Sequence, residues 1–197
     1  MTQRPIDVAF TPAVKAAQTR KGSRAIYEGM EMGRSIEDLA PFIAGVRSFY
    51  LATASAEGQP YIQHRGGPPG FLHVVGERQL AFADFKGNRQ FITTGNLAEN
   101  PKAYIFLMDY AHRQRIKLWG TARVIEGDAA LEQSLMPESY RARAEQVILL
   151  DVEAWDSNCP QHIPQMFHAD DVRQAIDQRE ARIAELEIEL AALRGAE

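Results

Sequence analysis

The sequence predicts a mainly β, α+β fold: a small antiparallel barrel with flanking helices and one long helix near the C-terminal end. Three observations lead there. Six or seven stretches with strand character are separated mostly by turns of hairpin length. No strand–helix–strand alternation of the kind that builds a parallel sheet is visible, and no G-x-G-x-x-G. Residues 170–193 carry apolar side chains at alternating spacings of three and four, which is helical.

The elements follow in order. Thr11-Pro12 has the chemistry of a helix start, a cap followed by proline at the first helical position, and Lys21-Gly22-Ser23 ends that helix. Residues 22–34 read as a loop. Ser35 reads as a cap for a short helix through Leu39, Phe42, Ile43 and Val46, with Glu37 and Asp38 in its first turn. Residues 49–54 are a strand, Glu57-Gly58 a turn, and 61–65 the returning strand, with Tyr61, Gln63 and Arg65 on one face and Ile62 and His64 on the other. The run Gly66-Gly67-Pro68-Pro69-Gly70 interrupts the sheet, and Pro68-Pro69 argues for a fixed turn. Strands resume at 71–75 and at 79–85, and a helix is expected over 90–97. Two more strands, 102–109 and 114–125, come next. Helices are expected from Ala129 to Met136 and from Pro137 through Tyr140 to Ala144, then a strand at 147–152 and a turn-rich stretch over 155–164. Asp170 is read as the cap of the final helix, which has one cation, Arg179, in its apolar stripe.

Length and composition bound the function. A chain of 197 residues can bury a core without staples. Its formal net charge of −4 gives no general attraction to nucleic acid or anionic lipid. The single cysteine, Cys159, excludes an internal disulfide and a cysteine-based zinc site. With no apolar run near the length of a bilayer span, and no signal-peptide core at the start, a cytoplasmic protein is expected. Five scattered histidines and no H-E-x-x-H give no metal site, and no P-loop or serine-hydrolase signature is present.

Two stretches can carry chemistry. At Lys86-Gly87-Asn88-Arg89 a strand passes through a glycine-containing turn into a helix start, an arrangement that can hold a phosphate on free backbone N–H groups and on the two-donor fork of arginine. An ordinary solvated surface turn accounts for the same residues. In the strand 114–125, Ile116 and Leu118 face a core, while Arg115, Lys117 and Trp119 share the opposite face. That face is either a solvated sheet surface or the wall of a site for a flat anionic ligand.

These residues carry a resemblance. The chain resembles the pyridoxamine 5'-phosphate oxidase-like family of FMN-binding split β-barrels. The resemblance rests on Phe49-Tyr50-Leu51-Ala52-Thr53-Ala54, then His64-Arg65-Gly66-Gly67-Pro68-Pro69-Gly70-Phe71. It continues in Ala83-Asp84, Gly87-Asn88-Arg89, Gly95-Asn96-Leu97 and the late Asn158-Cys159-Pro160-Gln161. It covers roughly 36–165, leaving residues 1–35 as an N-terminal extension and 166–197 as a C-terminal amphipathic helix.

The resemblance implies a homodimer with FMN in two clefts at the subunit interface. Asn88 and Arg89 inherit the phosphate, where parent oxidases carry two cations. Gln63, His64 and Arg65 fall where the flavin and its ribityl chain are contacted. Phe82, Ala83 and Asp84 run beside the ring edge and offer mainly backbone. Arg115 matches a ring-contacting position supplied from the partner subunit, and Cys159 and Gln161 close over the flavin. A cation near the ring's N1 stabilises reduced flavin, a role open to Arg115 or Lys117.

The implied function is an FMN-dependent oxidoreductase acting on a small molecule, with NAD(P)H a candidate donor. Pyridoxamine phosphate oxidation itself is disfavoured, because the arginine- and histidine-bearing C-terminal segment of those oxidases is replaced by Cys159-Pro160-Gln161-His162. The alternative is a non-catalytic flavin- or haem-binding protein, with His64 or His162 as a haem ligand.

Overall fold

The computed structural model describes residues 4–138, 140–157 and 160–195. Its contacts divide into two compact units. One comprises Met1–Asp109 and Gln114–Pro160, the other Tyr110–Arg113 and Gln161–Glu197.

The first unit is built on a seven-stranded antiparallel sheet. Its strands are β1 (Ser48–Ala54), β2 (Pro60–Gly66), β3 (His73–Gly76), β4 (Gln79–Phe85), β5 (Lys102–Asp109), β6 (Gln114–Ile125) and β7 (Ala144–Ser157). Their order across the sheet is β2-β1-β5-β6-β7-β4-β3. The sheet curls without closing, which makes it a split barrel. Inward-pointing residues of successive strands, among them Phe49, Leu51, Leu80, Phe82, Ile105, Leu107, Leu118, Ile148, Leu150 and Val152, form one buried core. Alternation put Ile116 and Leu118 in that core, and both are buried.

Helices fill the margins. α1 (Pro5–Ala9), α2 (Pro12–Arg20), α3 (Arg24–Glu28), the 3-10 turn Glu37–Leu39 and α4 (Ala40–Gly45) precede the sheet. α5 (Ile92–Glu99) lies between β4 and β5, and α6 (Ala129–Ser134) between β6 and β7. The hydroxyl of Thr11 accepts from the Val14 amide, so the expected cap of α2 is in place. The N-terminal segment packs on β7: Gly33 forms a bridge with Trp155, whose indole N–H donates to the Ser35 carbonyl at 2.6 Å.

Several sequence expectations are corrected. Residues 24–28, expected in a loop, are helical. Phe71 and Leu72 precede the third strand and enter the core as single side chains. α5 begins at Ile92, because Arg89 and Phe91 adopt left-handed backbone angles that no helix admits. The helix expected from Pro137 to Ala144 is absent among the described residues: α6 stops at Ser134, and β7 begins at Ala144 and runs to Ser157. At its far end the pairing with β6 outweighs the turn chemistry of Trp155-Asp156-Ser157.

In the second unit, the Gln165 side chain donates to the Ala111 carbonyl at 2.8 Å. α7 (Ala169–Arg194) is the long C-terminal helix. Its cap position is His168 rather than Asp170, and no side chain caps it. No described helix is long and apolar enough to cross a membrane.

Candidate functional site

The gap in the split barrel lies between β2 and β4. On its outer side β4 is paired with β3 only at Gln79, Leu80 and Ala81, so residues 82–85 offer main chain to the gap. Across it, the Arg65 guanidinium forms an ion pair with Asp84. The side-chain amide of Gln146, on β7, donates to the other Asp84 oxygen at 2.8 Å and to the Thr94 hydroxyl at 2.9 Å. All four polar side chains converge where the sheet fails to close. One donor in this network, Arg65 Nε, is buried and has no partner. A buried unpaired donor of a charged group costs free energy, so its retention at a cleft points to a ligand acceptor.

Two clefts open on this network. One, of about 230 Å³, lies between Gln63, Arg65 and Asp84 on the strands and the 87–94 turn. The other, of about 190 Å³, shares Gln63, Arg65, Asp84, Phe85 and Gly87 with the first and runs along β4 toward Phe71. Together they form a groove of small-molecule size.

The turn shapes the first cleft. Asn88 Oδ1 accepts from the Gln90 amide at 3.2 Å, which fixes the bend. Arg89 (φ 58°) and Phe91 (φ 52°) both occupy the left-handed region without being glycine. Such strain persists only where the surroundings enforce it, and it gathers at functional sites. Here α5 is held against the barrel by three side-chain hydrogen bonds. Thr93 donates to Gln63 Oε1 at 2.8 Å, Asn96 donates to the Thr53 hydroxyl at 3.0 Å, and Asn100 donates to the Ser55 carbonyl at 3.3 Å. No side chain caps the N-terminus of α5, which leaves its first amides free to meet an anion.

Electrostatics in the groove are balanced. Arg89 Nε lies 3.1 Å from Glu145, and the guanidinium stands over the Phe91 ring. Two arginines therefore face two carboxylates, Asp84 and Glu145. An incoming dianion must compete with Glu145 for Arg89.

Of the sequence-predicted residues, Gln63, Arg65, Asp84, Asn88 and Arg89 meet at this groove. Phe82 and Ala83 line its second part, but the Phe82 ring belongs to the core, packed edge-on against Phe49. His64 touches the same cleft while its exposed ring lies against Tyr50 on the opposite strand face. Arg115 and Lys117 stand elsewhere in this chain, on β6. Lys117 is paired with Asp156 at 2.7 Å and lies over Trp119, so that face carries less free charge than its sequence suggests. Beside it, burial, followed by the Asp156 charge, pushes the Tyr104 hydroxyl up to about 12. Gln161 is exposed and belongs to the second unit. Cys159 lies outside the described residues.

Sequence reasoning missed Thr93, Thr94, Glu145 and Gln146. Gln146 had left a signal: an amide directly before the run Val147-Ile148-Leu149-Leu150, on a strand buried on both faces. A polar residue held in such a strand requires partners.

No curated protein matches the chain. Among solved structures, it is similar to a protein of Clostridium acetobutylicum related to general stress protein 26, of the pyridoxinephosphate oxidase family, at 14% identity and TM-score 0.48, covering 68% of this chain and 94% of that one. It is also similar to HutZ, a haem storage protein of Vibrio cholerae, at 17% identity and TM-score 0.45, covering 63% and 94%. An F420 reductase matches at 17% identity and TM-score 0.43, covering 59% and 94%. The family model described as pyridoxamine 5'-phosphate oxidase matches residues 36–159. That span holds all seven strands, α5 and the groove, and the chain belongs to the pyridoxamine 5'-phosphate oxidase family.

Proposed function

We propose that this chain binds flavin mononucleotide in the groove between β2 and β4 and acts as a flavin-dependent oxidoreductase on a small molecule. The observation that carries the reading is the Arg65 guanidinium spanning the gap, its buried Nε unpaired, next to a helix start without a side-chain cap. The two features suit the two ends of such a ligand: free amides and Arg89 for a phosphate, and an inward-facing donor with an open main-chain edge for polar atoms along its length.

The residues present would divide the work. Arg89, released from Glu145, pairs with the phosphate, and the Asn88 bend holds the 89–94 main chain in place to receive it. Gln63 is oriented by Thr93, and Gln146 by Asp84 and Thr94, so the floor of the groove is ordered before a ligand arrives. Asp84 keeps Arg65 aimed across the gap. When bound, the flavin supplies hydride and electron transfer itself, so the chain need offer no acid–base pair of its own. In a homodimer, the second copy is the proposed source of Arg115 and Lys117 at the ring.

The test is the absorbance of the purified protein with identification of any released cofactor. A flavin spectrum, bleached anaerobically by NAD(P)H, is the expected outcome. A Soret band in place of flavin bands, or a protein that stays colourless after incubation with FMN, sinks the reading. Arg89→Glu should lose flavin binding by about 100-fold or more, as expected when a charge-assisted contact is replaced by a repulsive one. Equilibrium titration with FMN measures it, and unchanged affinity removes Arg89 from the phosphate site.

A further inference from the structure

α7 spans 26 residues, about 39 Å of helix, and none of them is buried. A lone helix gains most of its stability in water by covering an apolar face, and this one leaves a continuous seam open. Val172, Ile176, Ile183, Leu186, Leu190 and Leu193 are 43–70% exposed. With Arg179 they follow an unbroken four–three alternation, the heptad pattern of a coiled coil. In that repeat Ile176, Ile183 and Leu190 fall at a, and Val172, Arg179, Leu186 and Leu193 at d.

We infer that α7 is a docking surface for α7 of a second copy, forming a parallel, in-register, two-stranded coiled coil. Two independent features select this occupant. β-branched isoleucine at two of the three a positions, with leucine at two of the four d positions, favours two parallel strands. The flanking charges then match across the seam. In a parallel pair each g residue faces the e residue five positions later on the other helix, which sets Arg182 against Glu187 and Glu189 against Arg194. By symmetry each pair occurs twice.

Antiparallel registers bring like charges together. When Ile183 meets Leu186, Glu180 faces Glu187 and Arg173 faces Arg194, and Arg182 with Glu189 is the one opposite-charge match. When Ile183 meets Arg179, Arg182 faces Arg182 and Glu180 faces Glu180, which offsets the Arg173–Glu187 match, whereas the parallel register has no like-charge contact between g and e positions. Within one helix Arg182 is paired with Glu185 at 2.8 Å and reaches Glu189 at 3.9 Å, but these exposed contacts are weak and exchange readily. Arg179 in the seam lies beside Glu180 of the second copy, which offsets its charge, and its long side chain can carry the guanidinium out to water. The cation also disfavours trimers and tetramers, where a d position is more fully enclosed.

The consequence is tethering. Both helices enter the coil at residue 169, so the two preceding chains leave from the same end. Any pairing between them becomes an intramolecular event at high effective concentration. This holds whatever the groove binds.

The test uses the full-length chain in a Cys159→Ser background. Leu190→Cys, at a seam position, should oxidise to a disulfide-linked pair about ten times faster than Ile188→Cys, which faces outward at f, because a disulfide tolerates only a narrow range of separations. Arg182→Glu should slow the Leu190→Cys linkage, and adding Glu187→Arg should restore it. The inference is overturned if Leu190→Cys stays unlinked or links no faster than Ile188→Cys. It is likewise overturned if Leu190→Cys links preferentially to a Val172→Cys chain, the antiparallel outcome, or if the charge exchange restores nothing.

Discussion

Glu145 holds the cation on which the proposed phosphate site depends, and the competition between them sets the affinity of the groove. The Arg89–Glu145 pair is largely solvated on the arginine side and so worth little to the fold. A carboxylate at that distance from a bound dianion, in contrast, repels it directly. Glu145→Gln is therefore expected to tighten FMN binding roughly tenfold, about 1.4 kcal/mol, with little change in thermal stability. Titration at low and moderate salt checks this, and the gain should shrink as salt rises. Tyr104 offers a second test at this scale. Its pKa lies above the ordinary 10, at about 12, raised first by burial and then by Asp156. The folded state thus keeps a proton that the unfolded state gives up. Stability from this group is complete below pH 10 and is lost as pH rises from about 10 to about 12. Tyr104→Phe should flatten that part of the alkaline unfolding curve, measured by denaturant melts across the window. Identical slopes for both proteins would place the titration elsewhere.

At the scale of elements, the fold is held where two strands approach too closely for a side chain. The pairing of β6 with β7 changes register between Trp119 and Gly120, and a Cβ at Gly120 would collide with the Asp151 carbonyl. Backbone cannot give way as a flexible side chain can, so Gly120→Ala is expected to cost about 1–3 kcal/mol. Chemical denaturation checks it. The same reasoning explains which local signals were readable. Thr11-Pro12 and Asp128 are caps whose partners, Val14 and Leu131, lie three residues along the chain, and both helices start where the sequence places them. The helix expected from Pro137 fails because the decisive partners of residues 144–147 are far away, on β4 and β6. Likewise the late start of α5 follows from packing: Thr93, Asn96 and Asn100 are tied to β1, β2 and the residue after β1, which sets the pitch of the turn before them.

For the whole molecule, the proposals converge on a pair of chains. The full-length protein is expected to have the mass of two subunits by light scattering. Removal of residues from Asp170 onward should leave a dimer that dissociates on dilution at least tenfold more readily, since it loses the effective concentration supplied by the coil. A truncated chain that pairs as tightly as the full one would show that α7 adds nothing to assembly. Addition of FMN to the truncated protein separates the two contributions, because a cofactor shared between subunits would shift the equilibrium back toward the dimer.

The sequence by itself determined the strand alternation, the antiparallel class, the glycine-containing turn at 86–89 and the heptad seam of α7. Each is written in neighbours a few residues apart, where period and turn chemistry act directly. Only the tertiary structure decided that Arg65 is tied to Asp84, that Gln146 braces both Asp84 and Thr94, and that Arg89 is engaged by Glu145. Those partners lie 19 to 62 residues apart in the network around Asp84. No periodicity links them, because their meeting follows from the curl of the sheet that brings β2 and β4 face to face without letting them pair.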